Sequence, residues 1–173
     1  MQISPAMQDF ILHWGEMGSR WGTNRSVAQI HALLHVATRP LTAEEITGTL
    51  GIARSNVSTG LKELQALGLV SSELKLGDRR DHFTSIRDPF DLATAVIHAR
   101  REREFAPTLA ALDRLLDEAA RDGTPPENRA RIADTLKTMR TFDTWYADVA
   151  RLPRAVQMAA IRLGAQVARF LPK

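Results

Sequence analysis

A very short glycine turn between two helical segments, followed at once by a β-hairpin pattern, constrains this fold more than any other feature. The first segment begins at a capping box, Thr42 to Glu45, and ends at Gly51, which is typical of a helix C-terminus. The second segment ends at Gly68 and has one apolar face, formed by Val57, Leu61 and Leu64. Two helices joined this tightly predict a helix-turn-helix.

The hairpin pattern consists of two candidate strands, Leu69 to Leu76 and His82 to Ile86, joined by a polar turn over residues 77–81. A further helix precedes the helix-turn-helix. It is predicted to begin at a capping box over Ser26 to Gln29 and to bury four apolar residues, Val27, Ile30, Leu34 and Ala37. Three helices and a hairpin in this order predict a winged helix-turn-helix.

Helical periodicity dominates the remaining sequence, so the fold class is mainly α. An N-terminal helix is predicted to begin at Ser4-Pro5 and to carry one apolar stripe, formed by Met7, Phe10, Trp14, Met17 and Trp21. Three glycines weaken this helix, which predicts that another backbone packs closely against Gly15, Gly18 and Gly22.

After the hairpin, a helix is predicted to begin at the N-cap Asp88 and to kink or break at Pro107, and residues 123–126 form a loop. A further helix ends near Pro153. The last helix carries a stripe of apolar residues, Val156, Ala160, Leu163, Val167 and Phe170.

Composition excludes several classes of function. The 173 residues include 23 Lys and Arg, 20 Asp and Glu, and no Cys, which rules out disulfides and thiolate chemistry. No apolar run approaches the ~18 residues that a membrane span needs, and the first ten residues lack the features of a signal peptide. We therefore expect a soluble, cytoplasmic protein that needs no cofactor.

The outward face of the second helix of the helix-turn-helix carries the types of side chain that a DNA-recognition helix uses. Its apolar stripe leaves short hydrogen-bonding groups and two cations on the other side, namely Arg54, Ser55, Asn56, Ser58, Thr59 and Lys62. Such a helix fits the major groove, where these side chains reach base edges and phosphates. Gly60 lies in the same helix at a cost of about 1 kcal/mol, which predicts close contact with DNA or with a neighbouring helix.

The turn of the hairpin adds further cations, Arg79 and Arg80, and Lys75 precedes it. Guanidinium groups on such a loop can enter a minor groove or bind phosphates. Residues 41–87 as a whole are balanced, with six cations and six acids, so only the placement of the charges favours DNA. A winged helix that binds a protein through Arg79 and Arg80, and no DNA, is the alternative.

The segment LTAEEITGTLGIARSNVSTGLKELQALGLV, followed by GDRRDHF, resembles the winged helix of MarR-type transcriptional regulators. The preceding FILHWGEMGSRWG resembles the branch of that family typified by glycine betaine synthesis repressors, the GbsR-like branch. The resemblance implies a homodimeric repressor or activator that binds a double-stranded DNA operator, and of the two we expect a repressor. It also implies an N-terminal dimer-contact helix over 1–24, a DNA-binding domain over 25–88 and a helical dimerisation or effector region over 89–173. At the N-cap of the recognition helix, the second helix of the helix-turn-helix, the family usually carries Ser or Thr, whereas this chain has Ala53.

Other chemistries find less support in the sequence. His31 and His35 have a spacing that can hold zinc, but no third ligand lies nearby, so we expect packing or dimer-contact histidines and no metal site. There is no nucleophile elbow, no phosphate-binding glycine loop and no pair of carboxylates in an apolar setting, so we expect no enzyme. The stretch after Asp148 is basic, but its many small residues favour a dimer surface over a membrane-bound helix.

A small-molecule effector is the last expectation. Aromatic residues lie on both sides of the winged helix in the sequence, namely Trp14, Trp21, Phe142, Trp145 and Tyr146. Aromatic faces can enclose a quaternary ammonium by cation–π attraction, and the resemblance makes choline-like compounds the first ligands to consider. The alternative, which we favour, is that aromatic residues at helical spacing belong to the core.

Overall fold

The computed structural model describes residues 3–164 of the 173-residue chain. The chain forms two compact units, and the boundary between them follows Arg100. The first unit includes the predicted N-terminal helix, the winged helix and one further helix. The assignment of separate roles to residues 1–24, 25–88 and 89–173 stays a prediction.

The first unit combines five helices with a small antiparallel sheet. Its elements are α1 (Pro5–Arg20), α2 (Arg25–Val36), β1 (Leu41–Thr42), α3 (Ala43–Leu50), α4 (Arg54–Ala66), β2 (Val70–Lys75), β3 (Asp78–Ser85) and α5 (Pro89–Arg100). The strands lie in the order β1-β3-β2, with Leu41 opposite Phe83. The predicted winged helix-turn-helix is confirmed, although the sequence pattern missed the short first strand.

The second unit is helical throughout its described part. A π-helical turn over Arg101–Phe105 leads to α6 (Ala106–Ala119), which is followed by α7 (Pro126–Ala150) and α8 (Arg154–Leu163). Pro107 lies in the first turn of α6, where a missing N–H costs little. The chain stays helical through the π-helical turn ahead of it, so the prediction of a break is wrong and the distortion is confined to that turn. The predicted apolar residues Val167 and Phe170 lie outside the described residues. No helix within residues 3–164 is both long enough and apolar enough to cross a membrane.

Helix capping agrees with the sequence at two positions and departs from it at a third. The Ser4 hydroxyl accepts a hydrogen bond from the Met7 N–H, and the capping box at Thr42 is complete. The predicted capping box at Ser26 is wrong. Asn24 caps α2 instead, and its side-chain oxygen accepts from the Ser26 N–H at 2.8 Å, so the helix begins at Arg25.

Helix α2 forms the centre of the first unit. Its Ile30, Leu33 and Leu34 have at most 1 % of their surface exposed, and they belong to one core cluster that includes residues of every other element of the unit. The predicted buried residues of α2 and α4 are all in this core. Ile11 is the most buried side chain of α1, a position that the predicted stripe missed.

Two of the three N-terminal glycines pack closely, as predicted. A Cβ at Gly18 would lie 2.5 Å from the Ala28 Cβ, and one at Gly15 would lie 2.7 Å from the Gln29 Cγ. Gly22 packs against nothing; it lies beyond α1 with a φ of +81°, so its role is to turn the chain. Trp21 also lies beyond the end of α1 and is 61 % exposed, so its predicted place in the apolar stripe is wrong.

The hairpin is tighter than the sequence pattern predicts. Strand β3 begins at Asp78, four residues before the predicted start, because Lys75 pairs with Asp78 across a two-residue loop. Gly77 has a φ of +83°, which lets the chain reverse in so short a loop. Arg79 and Arg80 therefore lie in a strand, not in a long turn, and that part of the prediction is wrong.

Replacing Gly18 tests the close packing of α1 on α2. We expect Gly18→Ala to lower the free energy of unfolding by about 1–3 kcal/mol, because the new methyl group overlaps the buried Ala28 side chain. Gly48→Ala is the matched control, since Gly48 is inside α3 with no atom within 4 Å of an added Cβ. It should stabilise by about 0.5–1 kcal/mol through helix propensity. Urea unfolding of both variants checks this, and equal stabilisation of the two would contradict the contact.

Candidate nucleic-acid interface

A groove runs between the exposed side of α4 and the hairpin formed by β2 and β3. Eleven residues line it, namely Ala43, Glu44, Arg54, Ser58, Leu61, Lys62, Gln65, Arg79, Arg80, Asp81 and Phe83. Four of these are cations and two are acids, whereas the winged helix as a whole is balanced. We call this surface the α4–wing groove.

The packing of α4 on the core determines which of its residues reach the groove. Val57, Leu61 and Leu64 are at most 2 % exposed, so the opposite side of the helix faces solvent. Gly60 is buried as well, and a Cβ there would lie 2.7 Å from the Ile30 Cδ1. Of the two explanations for this glycine, contact with a neighbouring helix is therefore correct. Ala53 provides no side-chain cap, as its residue type predicts.

Two of the four cations that line the groove form ion pairs with carboxylates. Arg54 lies 3.0 Å from the Glu44 carboxylate, and Arg80 lies 2.7 Å from Asp78. Both arginines are mostly exposed, at 75 % and 57 % of their side chains, so each pair is worth little to folding. The pairs fix where the two guanidinium groups point.

Asp78 is the centre of the hydrogen bonds in the wing. Its carboxylate accepts from the Arg80 side chain at 2.7 and 2.9 Å, from the Arg80 N–H at 3.0 Å, and lies 3.1 Å from the His82 Nε2. The Arg80 side chain, followed by its backbone N–H, holds the pKa of Asp78 well below its usual range. Asp78 therefore stays charged at any physiological pH and keeps Arg80 in place.

A bulge separates the two wing arginines from regular strand pairing. Leu74 pairs with Asp81 and Lys75 with Asp78, so Arg79 and Arg80 have no partner on β2. Such a bulge bends the strand and redirects its side chains. Within residues 3–164, Arg79 makes no ion pair, which leaves its charge available to a ligand.

The structure brings together five of the nine predicted DNA-contact residues in the α4–wing groove. Those five are Arg54, Ser58, Lys62, Arg79 and Arg80. The other predicted residues of α4, Ser55, Asn56 and Thr59, are exposed but lie outside the groove. Lys75 is exposed at the end of β2, also outside the groove.

Sequence reasoning missed Gln65, Glu44 and Asp78. Gln65 follows Lys62 by three residues on the same face of α4, so helical spacing alone indicated it. Its side-chain amide donates to the Ser72 hydroxyl at 3.1 Å and joins α4 to the wing. The pairing of Glu44 with Arg54 depends on the crossing of α3 and α4, which no local pattern shows.

His31 and His35 are structural. The His31 Nε2 lies 3.1 Å from the Ser85 hydroxyl, and the His35 Nδ1 lies 3.1 Å from the Ile86 carbonyl. The ring centroids of the two histidines are 6.1 Å apart, with Trp14 and Phe10 beside them. No group of three metal-ligating side chains occurs among the described residues. Burial, with a smaller contribution from His35, lowers the pKa of His31 to about 4.

The candidate effector residues lie in different surroundings. Trp14 is half-buried in a stack with Phe10, at 5.3 Å between ring centroids, which is a core position. Phe142 and Trp145 are each 63 % exposed on α7. Tyr146 already has a cation on its face, since the Arg101 guanidinium lies 5.9 Å from its ring centroid. An aromatic cage for a small molecule stays a prediction.

Comparisons with known proteins agree with this architecture. Residues 21–81 match a family model described as MarR family. The chain is 24 % identical over 148 residues to the HTH-type transcriptional repressor GbsR of Bacillus subtilis (strain 168), and the match covers 82 % of this chain and 80 % of that protein. A crystal structure of a transcriptional regulator shares the fold, with a TM-score of 0.71 at 19 % identity, over 83 % of this chain and 95 % of that one.

The lowered pKa of His31 predicts a specific dependence of stability on pH. Between pH 6.5 and about 4 the unfolded chain binds a proton at His31 that the folded chain does not, so stability falls as the pH falls through this range. The loss at pH 4 is about 3 kcal/mol at most, from 1.4 kcal/mol per pKa unit. We expect His31→Gln to make the unfolding free energy less dependent on pH there, as measured by urea unfolding from pH 7 to 4.

The matched control for this experiment is His98→Gln, because His98 is an exposed histidine of α5. Its pH dependence should follow that of the unchanged protein. Identical curves for both variants and the unchanged protein would show that the buried imidazole does not control acid stability.

Proposed function

We propose that this chain is a winged helix-turn-helix transcriptional regulator of the MarR type that binds operator DNA as a homodimer, represses transcription and performs no catalysis. The α4–wing groove carries the proposal. It collects Arg54, Lys62, Arg79 and Arg80 on one surface, although the winged helix has no excess of positive charge. A surface of this kind binds the phosphates of a DNA strand.

The remaining face of α4 supplies the groups that read sequence. Ser55, Asn56 and Thr59 are exposed beside the groove-lining residues, and none of them makes a side-chain hydrogen bond to another part of residues 3–164. In the major groove an asparagine can hydrogen-bond adenine through two bonds, and hydroxyl groups bind several bases. With α4 in the major groove, the wing reaches the flanking minor groove or its phosphates.

The repressor role rests on the relative. GbsR of Bacillus subtilis is named a transcriptional repressor, and its match extends over four fifths of this chain. Repression requires only that a tightly bound dimer covers a promoter. It needs no catalytic activity of the protein. A winged helix that binds only a protein is the competing function, which the following experiment distinguishes.

Removing both wing arginines tests the groove. We expect Arg79→Ala with Arg80→Ala to weaken binding to a DNA site selected from genomic fragments by about tenfold or more, and to make the salt dependence less steep. Two phosphate contacts contribute about 1.8 to the slope of log K against log salt concentration. Both residues are exposed, so stability should change by less than about 0.5 kcal/mol. Fluorescence anisotropy at several salt concentrations measures both quantities.

A variant of equal charge provides the control. Arg20→Ala with Arg25→Ala removes two exposed arginines of the same unit that do not line the groove, so it should leave the slope unchanged. Equal effects of the two double variants would mean that only net charge matters. Failure of the unchanged protein to retain any genomic DNA at low salt would favour the protein-binding module.

Dimerisation is expected to use the apolar surface of the helical unit. Several large apolar side chains of this unit are at least 40 % exposed, namely Leu115, Phe142, Trp145, Leu152, Val156, Ile161 and Leu163. Exposed apolar residues in this number are typical of an interaction surface. In a dimer of this class of protein, two α4 helices meet successive turns of one DNA duplex, about 34 Å apart.

Substitution of two aromatics on α7 tests this surface. We expect the unchanged protein to be a dimer at micromolar concentration, and Phe142→Ser with Trp145→Ser to raise its dissociation constant at least about tenfold, since each ring covers a large apolar area. Lys137→Ser, an exposed polar position of the same helix, should have no effect. Light scattering gives the mass, and a monomeric unchanged protein would disprove the dimer.

A further inference from the structure

The tip of the wing carries two leucines that are not packed in the core. Leu76 is fully exposed and Leu74 is 74 % exposed, and no other large apolar side chain within residues 3–164 is exposed as much as either. Neither belongs to the core of the first unit. An apolar side chain that gains nothing from folding and stands at the end of a hairpin is a candidate contact for a partner.

The loop that presents Leu76 is narrow. Only Leu76 and Gly77 connect β2 to β3, and Lys75 pairs directly with Asp78 below them. The minor groove of DNA is about 6 Å wide, which is too narrow for a two-stranded ribbon with its side chains but wide enough for one side chain at the end of a two-residue loop. The two-residue loop leaves Leu76 at the outermost point.

Charges beside the tip indicate which partner it fits. Lys75 precedes Leu76, and the bulged Arg79 lies just behind the loop. The nearest acid, Asp78, is held by Arg80, while Glu73 and Asp81 lie further down the strands. The tip therefore presents an apolar point flanked by cations, which matches a groove whose floor is made of bases and whose rims are phosphates. Arg79 also lines the α4–wing groove, so the tip continues the surface proposed to bind DNA, which favours DNA over a protein or a membrane as its partner.

We propose that Leu76, supported by Leu74, is a wedge that enters the minor groove beside the operator and partly unstacks one base step. Proteins that bend DNA use apolar side chains in this way. The proposal rests on the proposed function, since it places the wing on DNA. It adds a contact that selects flanking sequence by its deformability, because pyrimidine–purine steps unstack most easily.

The experiment combines affinity with a probe of stacking. The selected DNA duplex is labelled with 2-aminopurine at the step under the wing, where unstacking raises its fluorescence. We expect Leu76→Ser to lower the affinity about tenfold, in line with the loss of one buried leucine contact. The 2-aminopurine signal should disappear, while the salt slope should stay unchanged, because an apolar contact releases no counterions. Leu76→Met keeps an apolar side chain of similar size and should retain both affinity and signal.

A second exposed leucine provides the control. Leu12 is 40 % exposed on α1, and Leu12→Ser should change neither affinity nor fluorescence. Leu76→Ser that binds as tightly as the unchanged protein would overturn the wedge and leave the proposed function in place. Weaker binding with an intact fluorescence signal would overturn it as well. Failure of the unchanged protein to bind DNA would disprove both the wedge and the proposed function. Unchanged affinity with a lower oligomer mass would assign the tip to a second copy.

Discussion

The packing of α2 against its two neighbours at glycines is the constraint on which the rest of the first unit depends. Gly18 of α1 faces Ala28, and Gly60 of α4 faces Ile30, with no room for a methyl group at either position. Because α4 approaches α2 this closely, its rotation about its own axis is fixed. Ser58 and Lys62 must then lie on the open side, and the groove follows from a helix contact made on the opposite face.

The placement of the charged residues, and not the net charge of the winged helix, makes the α4–wing groove positive. The winged helix has as many acids as cations, yet the groove holds four cations and two acids. Carboxylates in and beside the groove also pair with its cations, since Glu44 pairs with Arg54 and Asp78, next to the groove, pairs with Arg80. An arginine already held in place loses less side-chain entropy when it binds a phosphate. The cost is weaker attraction at long range, so we expect the proposed DNA binding by this groove to depend on fit to a local DNA surface more than on overall charge.

The sequence predicted those features that local chemistry determines. The capping box at Thr42, the left-handed Gly51 and the buried stripe of α4 each depend on residues a few positions apart, and the structure has all of them. Asn24 displaced the predicted cap at Ser26 because two capping side chains compete within three residues. The long-range features were beyond such patterns. The strand β1, the bulge at Arg79 and the Glu44–Arg54 pair arise only when distant segments meet.

Helix α2 also contacts the end of the wing, so it connects α4 and the wing, the two parts of the proposed DNA-binding surface. His31 and His35 of α2 reach Ser85 and Ile86 at the end of β3, while Ile30 of α2 packs against Gly60 of α4. Burial keeps His31 neutral, so its ring can exchange a hydrogen bond with the Ser85 hydroxyl without a buried charge to solvate. One rigid element thus fixes the separation of α4 and the wing. A displacement of α2 would therefore be transmitted both to α4 and to the end of β3.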